Sequence, residues 1–185
     1  MNEINQVRGA EATDADAIAA IYAPHVTEGV ASFEAIAPDA AEMRARISET
    51  TRTHPWLVCE RDGEVIGYAY AGPHSARAAY VWSVNVTVYI ARQHQRGGIG
   101  RTLYTALFEQ LRRQGFYNAY AGITVPNPGS VGLHEAMGFK RVGFYPAVGY
   151  KFGAWRDVGW WELPLQEKPL GAPPPPLLPH EVPPI

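Results

Sequence analysis

A glycine-rich run, Gln95-Arg96-Gly97-Gly98-Ile99-Gly100-Arg101, lies between the β-branched segment Val86-Thr87-Val88-Tyr89-Ile90 and an amphipathic stretch with Leu103, Leu107 and Leu111 one helical turn apart. A strand that ends in such a loop and opens a helix presents unpaired backbone N–H groups at the positive end of the helix dipole. Glycines let an anion approach the backbone, and Arg96 and Arg101 add positive charge, so the physical reading is a site for a pyrophosphate. The run has no Gly-x-x-x-x-Gly-Lys-Ser/Thr spacing, and no Gly-x-Gly-x-x-Gly follows the first strand, which argues against a triphosphate loop and a dinucleotide fold. Taken alone, the loop reads equally well as a plain helix-opening turn. Further along, Asn127, Ser130 and His134 precede Gly138-Phe139. An imidazole at His134 can move a proton near neutral pH, or it can be a helix histidine bonded to a neighbour. Arg77 can pair bidentately with a carboxylate or phosphinate, or be a solvated loop charge.

These residues need elements to hold them. Gln6–Arg8 reads as a first strand. Thr13 reads as the cap of a helix that Pro24 stops, and residues 38–51 as a second helix. Residues 56–59 and 64–71 form two strands around the turn Arg61-Asp62-Gly63. Residues 80–90 form a long strand, with Trp82, Val84, Val86, Val88 and Ile90 on one face and Ser83, Asn85, Thr87 and Tyr89 on the other. A helix over 100–113, a strand over 117–124, a short helix over 130–137 ended by Gly138, and strands near 140–146 and 155–163 complete the pattern. Trp160 and Trp161 point to opposite sides of the last strand. The order predicts an α/β (α+β) protein, a mixed sheet with helices on both faces. Trp56, Tyr80, Trp82 and Phe33, taken one by one, read as core.

Half of the 16 prolines fall between Pro169 and Pro184, which excludes helix and central strand there. The expected organisation is a domain over residues 1–167 and an extended tail over 168–185, lying on its own domain, mobile, or offered to a partner. The 185 residues, 46% hydrophobic, suffice for a core. A formal net charge of -2 gives no field for nucleic acid or an anionic membrane. A single cysteine, Cys59, excludes an internal disulfide and a cysteine-rich metal module, and the expectation is no metal. No apolar run is long enough to span a bilayer, and the first eight residues do not read as a secretory signal, so a cytoplasmic protein is expected.

The Gln-x-x-Gly-x-Gly spacing after a Val-x-Val strand resembles the acetyl-CoA loop of the GNAT superfamily of N-acetyltransferases. The block Asn127, Ser130, His134, Gly138-Phe139 matches the same superfamily in order. Further stretches, among them residues 19–24, 32–34, 55–58, 67–73, 76–80, 87–89 and 149–159, are similar to its phosphinothricin, methionine sulfoximine and arsinothricin acetyltransferase branch. Within that branch Ala-Ile-Tyr-Ala-Pro, Ala-Ser-Phe-Glu and Arg-Ala-Ala-Tyr look nearest the arsinothricin subgroup.

The resemblance implies the GNAT fold, a mostly antiparallel mixed sheet, and acetyl transfer from acetyl-CoA to the primary amine of a small amino-acid analogue through a tetrahedral oxyanion. Backbone N–H groups on Val88, Tyr89 and Ile90 would hold the acetyl and pantetheine arm, with one of them at the oxyanion. Residues Gln95, Arg96, Gly97, Gly98, Ile99, Gly100 and Arg101 would hold the pyrophosphate, and Asn127 and Ser130 the cofactor further along. Phe33, Glu34, His74 and Arg77 would face the substrate. His134 stands where the superfamily often has a tyrosine that protonates the leaving thiolate, and His74 beside Ser75, where the family often has a second basic residue. A homodimer through the C-terminal strands is also implied. The departure is Asn85, at a position where the family usually has a carboxylate. Asn85 orders a water that relays the proton to Glu34 or a carbonyl, or the enzyme captures the deprotonated substrate, or the chain is a CoA-binding homologue with weak or no turnover. A solvated strand-edge amide is the structural alternative.

Overall fold

The computed structural model describes residues 5–183. The elements are β1 (Gln6–Gly9), α1 (Ala15–Thr27), α2 (Ala40–Thr50), β2 (Trp56–Arg61), β3 (Glu64–Pro73), β4 (Ser83–Ile90), α3 (Ile99–Gln114), β5 (Asn118–Val125), α4 (Pro128–Ala136), β6 (Lys140–Lys151) and β7 (Ala154–Pro164). The strands form one seven-stranded sheet in the order β1-β2-β3-β4-β5-β7-β6. Every neighbouring pair is antiparallel except β4 and β5, which run parallel and pair over only Ser83–Asn85 and Asn118–Tyr120.

The alternation along β4 separates two cores. Val84 and Val86 are buried among Leu103, Leu107, Leu111 of α3 and Phe139, with Val88 and Ile90 packed against the same cluster. On the opposite face Tyr89 packs against a cluster of Ile18, Tyr22 and Val26 from α1 and Met43 and Ile47 from α2. Helix α3 carries its apolar residues at 3.6-residue spacing and ends at Gly115, whose φ of 92° suits the left-handed C-terminal position. Trp161 is buried in the α3 core, its indole donating to Glu135 at 3.3 Å. Trp160 lies on the other face, its ring over Gly122.

Several local expectations are corrected. Helix α1 continues through Pro24 to Thr27. In the last turn the proline removes one internal bond, but its carbonyl still accepts from Glu28 N at 3.0 Å, and Val26 is held by burial. Thr13 does not cap α1. It sits inside a 3-10 turn over Ala12–Asp14, where the Asp14 carboxylate accepts from Glu11 N at 2.8 Å. Asp39 caps α2 by accepting from Glu42 N. Residues Ala78–Tyr80 form a 3-10 turn and the strand starts at Ser83, consistent with the weak strand preference of the alanines. Phe33 and Tyr80 are exposed instead of buried, at 42% and 43%. Strand β6 runs on through Pro146 to Lys151, because β6 is an edge strand and a register shift between Tyr145 and Gly149 absorbs the proline.

The chain beyond β7 lies back across the domain. Leu177 exchanges bonds with Gln114, the Trp82 indole donates to the Pro174 carbonyl at 2.8 Å, and Val182 is buried.

Arg8 pins β1 to its surroundings: it pairs with the Asp14 carboxylate at 2.8 and 2.9 Å and with Glu60 on β2. Burial alone would raise the Asp14 pKa, but the bonds from Arg8 and Glu11 N outweigh it and hold the carboxyl below its ordinary value. Arg8→Ala leaves Asp14 buried without its cation and is expected to cost about 2 kcal/mol in denaturant unfolding. Because the folded value is lowered, the stability tied to Asp14 is present above the unfolded carboxylate pKa of about 4 and fades as pH falls through the folded value. The cost of Arg8→Ala should therefore shrink in acid; a cost that is the same at pH 7 and pH 3 contradicts this assignment.

Candidate active site

Beyond Asn85 and Tyr120 the two central parallel strands part, and a cleft of about 680 Å³ opens between them. On the side away from β3, β4 has no strand partner from Val86 onward among the described residues. Its backbone polar groups on that edge therefore face the cleft; the Ile90 carbonyl accepts from the Gln95 side-chain amide at 3.3 Å, and the rest are open to a ligand. The cleft is lined by Val88, Tyr89, Ile90, Gln95, Arg96, Gly98, Ile99, Gly100, Arg101, Asn127, Ser130 and His134, all nominated from sequence. Gly97 does not line it. Thr87, Thr124, Tyr104, His25 and His94 line it without having been nominated. Tyr104 follows Leu103 in the buried core of α3, and no motif or spacing marked it as a cleft residue.

The loop geometry suits an anion. Gly98 takes a φ of 80° as the residue before α3, with no side-chain cap on the first N–H groups. Gly100 allows α3 to approach α4, since a Cβ there would sit 2.9 Å from a Leu133 methyl. A free helix N-terminus, two arginines and an unpaired strand edge around one cleft fit a long ligand with a pyrophosphate and an amide-containing arm.

His134 does not have a free ring nitrogen. Its Nδ1 donates to the Ser130 carbonyl at 2.8 Å, and its Nε2 accepts from the Tyr104 hydroxyl at 2.9 Å. A carbonyl can only accept, so the Nδ1 proton is fixed and Nε2 keeps its lone pair. Burial lowers the His134 pKa against the opposing pull of the Ser130 carbonyl. A neutral, doubly bonded imidazole has no spare proton for a thiolate, which corrects the expectation of a direct acid. Asn127 has a structural duty as well: its Oδ1 caps α4 by accepting from Ser130 N at 3.1 Å.

The substrate-side residues lie outside this cleft in two groups. Glu34 is held by Arg46 through two bonds of 2.8 and 3.0 Å and by the Tyr22 hydroxyl at 2.8 Å. The Arg46 bond, against burial, lowers its pKa, with further help from Tyr22 and from the charges of Arg46 and Lys151. A carboxylate held by an arginine and a hydroxyl, with a lowered pKa, is a poor proton acceptor, so the relay to Glu34 is not supported. The Ser32–Glu34 loop is clamped in turn: Lys151 donates to the Ser32 carbonyl at 2.6 Å, and the Phe33 ring rests where a Cβ on Gly149 would be. The second group is Asn85 with His74, whose Nδ1 and Asn85 Oδ1 are 2.9 Å apart. Arg77 is exposed on the β3–β4 connection, with no ion-pair partner among the described residues. No group of three or more potential metal ligands occurs among the described residues.

The acetyltransferase (GNAT) domain family matches residues 7–160. The chain is 41% identical over 174 residues to phosphinothricin N-acetyltransferase of Streptomyces viridochromogenes, covering 94% of this chain and 93% of that one. It is 36% identical to the L-methionine sulfoximine/L-methionine sulfone acetyltransferase of Pseudomonas aeruginosa strain PAO1, covering 86% and 94%. Among solved structures, a phosphinothricin acetyltransferase from Sinorhizobium meliloti in complex with acetyl-CoA superposes with a TM-score of 0.87 at 35% identity, covering 92% and 93%.

Gly98→Val forces a β-branched residue to a positive φ at the mouth of α3. Acetyl-CoA affinity measured by calorimetry should fall about tenfold or more, roughly 1.4 kcal/mol, while circular dichroism keeps its helical signal. Gly97→Ala, off the cleft and at an ordinary φ, should bind nearly as the parent does. Unchanged affinity in Gly98→Val removes the anion-loop assignment.

Proposed function

The chain belongs to the GNAT family of acetyltransferases, and within it we propose an enzyme that acetylates the primary amine of a small amino-acid analogue of the phosphinothricin, methionine sulfoximine or arsinothricin type. Acetyl-CoA is the acetyl donor. What supports the substrate class most is the 41% identity to a phosphinothricin N-acetyltransferase across nearly the whole chain. Acetyl-CoA supplies the thioester. Residues 95, 96 and 98–101 bind the pyrophosphate, the β4 edge at Val88–Ile90 orients the acetyl arm, and Asn127 and Ser130 flank it. Tyr104 and His134 fix each other and shape the cleft floor. The protein's contribution is chiefly to hold amine and thioester together.

On the substrate side, Arg77 meets an anionic group of the substrate, and the Ser32–Glu34 loop, rigid through Arg46 and Lys151, forms the rim with Phe33. Exposed Phe144, Tyr145, Tyr150, Phe152 and Trp155 on the β6–β7 edge support a homodimer through these strands. Light scattering should then give twice the chain mass of 20.3 kDa; a monomer removes this part. Residues 1–167 act as the catalytic domain and 168–185 as an appended tail. The lone cysteine is buried and free, which supports a cytoplasmic setting; no helix among the described residues is long and apolar enough to cross a membrane.

The test is release of free thiol from acetyl-CoA with phosphinothricin, methionine sulfoximine, methionine sulfone, arsinothricin and ordinary amino acids. Turnover is expected with at least one of the four analogues. Tight acetyl-CoA binding without thiol release contradicts it and favours a CoA-binding homologue. Arg77→Ala should raise the KM of the productive amine about 10–100-fold, the loss of a charge-assisted contact of roughly 1.5–3 kcal/mol, and leave that of acetyl-CoA unchanged. An equal rise in both makes Arg77 structural.

A further inference from the structure

We propose that His74 is the base that takes the proton from the substrate ammonium, and that Asn85 is the positioning residue that fixes its tautomer. The inference rests on the acetyl-transfer reading above. His74 lies just past the end of β3 and Asn85 is on β4, and the β3–β4 pairing sets Gly72 opposite Asn85, so the hairpin itself delivers the imidazole to the amide. The separation is 2.9 Å between His74 Nδ1 and Asn85 Oδ1. An amide oxygen only accepts, so the proton sits on Nδ1 and Nε2 carries the lone pair. Among the described residues Nε2 has no hydrogen-bond partner. An asparagine that cannot titrate thus does for His74 what a carboxylate does in a histidine dyad: it fixes orientation and tautomer without itself taking a proton.

The place fits the task. Asn85 is in the last residue pair before β4 and β5 part, so the dyad stands one residue short of the point where the cleft opens, just outside its lining. Val88 is three residues further, about 10 Å along the strand. Asn85 shares its face of β4 with Thr87 and Tyr89, the face opposite the α3 core. The amine can approach from that face while the acetyl arm lies along the strand edge. The ring is held in an aromatic box, with centroids 4.4 Å from Tyr120, 5.7 Å from Tyr80 and 6.3 Å from Trp160. The titratable groups facing it are Tyr80 on the 3-10 turn that follows it, Tyr120 on β5 and, behind Tyr120, Glu162 on β7. Tyr120 donates its hydroxyl to Glu162 at 3.1 Å, and burial together with that bond pushes its pKa up to about 12. Tyr120 therefore does not compete for the ammonium proton near neutral pH, Glu162 is engaged by the Tyr120 hydroxyl, and Glu34 is tied to Arg46.

The protons balance. One N–H bond of the ammonium breaks and its proton goes to His74 Nε2. The freed lone pair forms the amide C–N bond as the thioester C–S bond breaks with its electrons on sulfur. The second amine proton, lost as the amide forms, neutralises the sulfur. His74 then returns its proton to water.

The experiment combines pH profiles of kcat at saturating substrates with nitrogen-detected imaging of the imidazole tautomer by NMR, for the full-length parent, His74→Gln, Asn85→Ala and Asn85→Asp. In the free parent at pH 8, His74 should show a protonated Nδ1 and a lone-pair Nε2, and Asn85→Ala should lose that preference. The parent profile should rise through one ionisation that depends on His74. His74→Gln should lose that limb, falling about 100-fold or more at pH 7, in keeping with the usual contribution of a general base, and recover toward the parent above pH 9.5. Asn85→Asp should move the limb to higher pH, because a neighbouring carboxylate favours the imidazolium. A His74 protonated on Nε2, a limb that survives His74→Gln, or a loss equal at all pH values overturns the dyad. A limb shifted into the carboxylate range in Asn85→Asp, retained when His74→Gln is added, overturns it in favour of a missing carboxylate base. Failure of the parent to release thiol from any amine at any pH overturns the acetyl-transfer reading instead, while the tautomer measurement still decides the dyad.

Discussion

The parting of β4 from β5 is the constraint on which the rest of the molecule depends. Parallel strands that pair for three residues and then diverge leave backbone N–H and C=O groups without partners in the middle of a sheet. Such groups are costly when buried and dry, and a ligand that completes the ladder removes the cost. The flanking elements hold the gap open. Helix α3 packs Leu103, Leu107 and Leu111 under β4 on one side, and β7 pairs along the whole of β5 on the other. The α3 N-terminus is thereby fixed beside the open edge, so a helix end of the kind that suits a phosphate and an unpaired strand edge border one cleft.

On both faces of the sheet, acid–base groups are committed to architecture. Glu34, Arg46 and Tyr22 form one network joining the Ser32–Glu34 loop to α1 and α2. His134 and Tyr104 form another that joins α4 to α3. In both, a residue able to do acid–base chemistry is held in place by its neighbours. The contrast with His74, bonded on one nitrogen only, separates residues that build the site from one that can act in it.

Sequence made the local features legible. The apolar alternation in 82–90 and the glycines at 97, 98 and 100 act over a few residues, and the strand faces and the loop-to-helix join follow from them. Asp62 and Gly63 turn the β2–β3 hairpin as their types require, with φ of 52° and 81°. What stayed hidden was partnership across the chain. Glu34 meets Arg46 from a different element, and His134 meets Tyr104 from 30 residues away, so neither role could be read from spacing. Phe33 and Tyr80 looked like core by residue type, but their loops leave them exposed at the rim. Pro24 marked a helix end by its own chemistry, and burial of Val26 carried the helix past it.

The central claim is that acetyl-CoA completes the open edge of β4 and seats its pyrophosphate on the α3 N-terminus. Amide hydrogen exchange with and without acetyl-CoA tests it most directly. Protection should rise for cleft-facing amides from Val86 to Ile90 and for residues 98–101, with little change along β6. Protection confined to other segments, or none at β4 under saturating acetyl-CoA, would contradict the account.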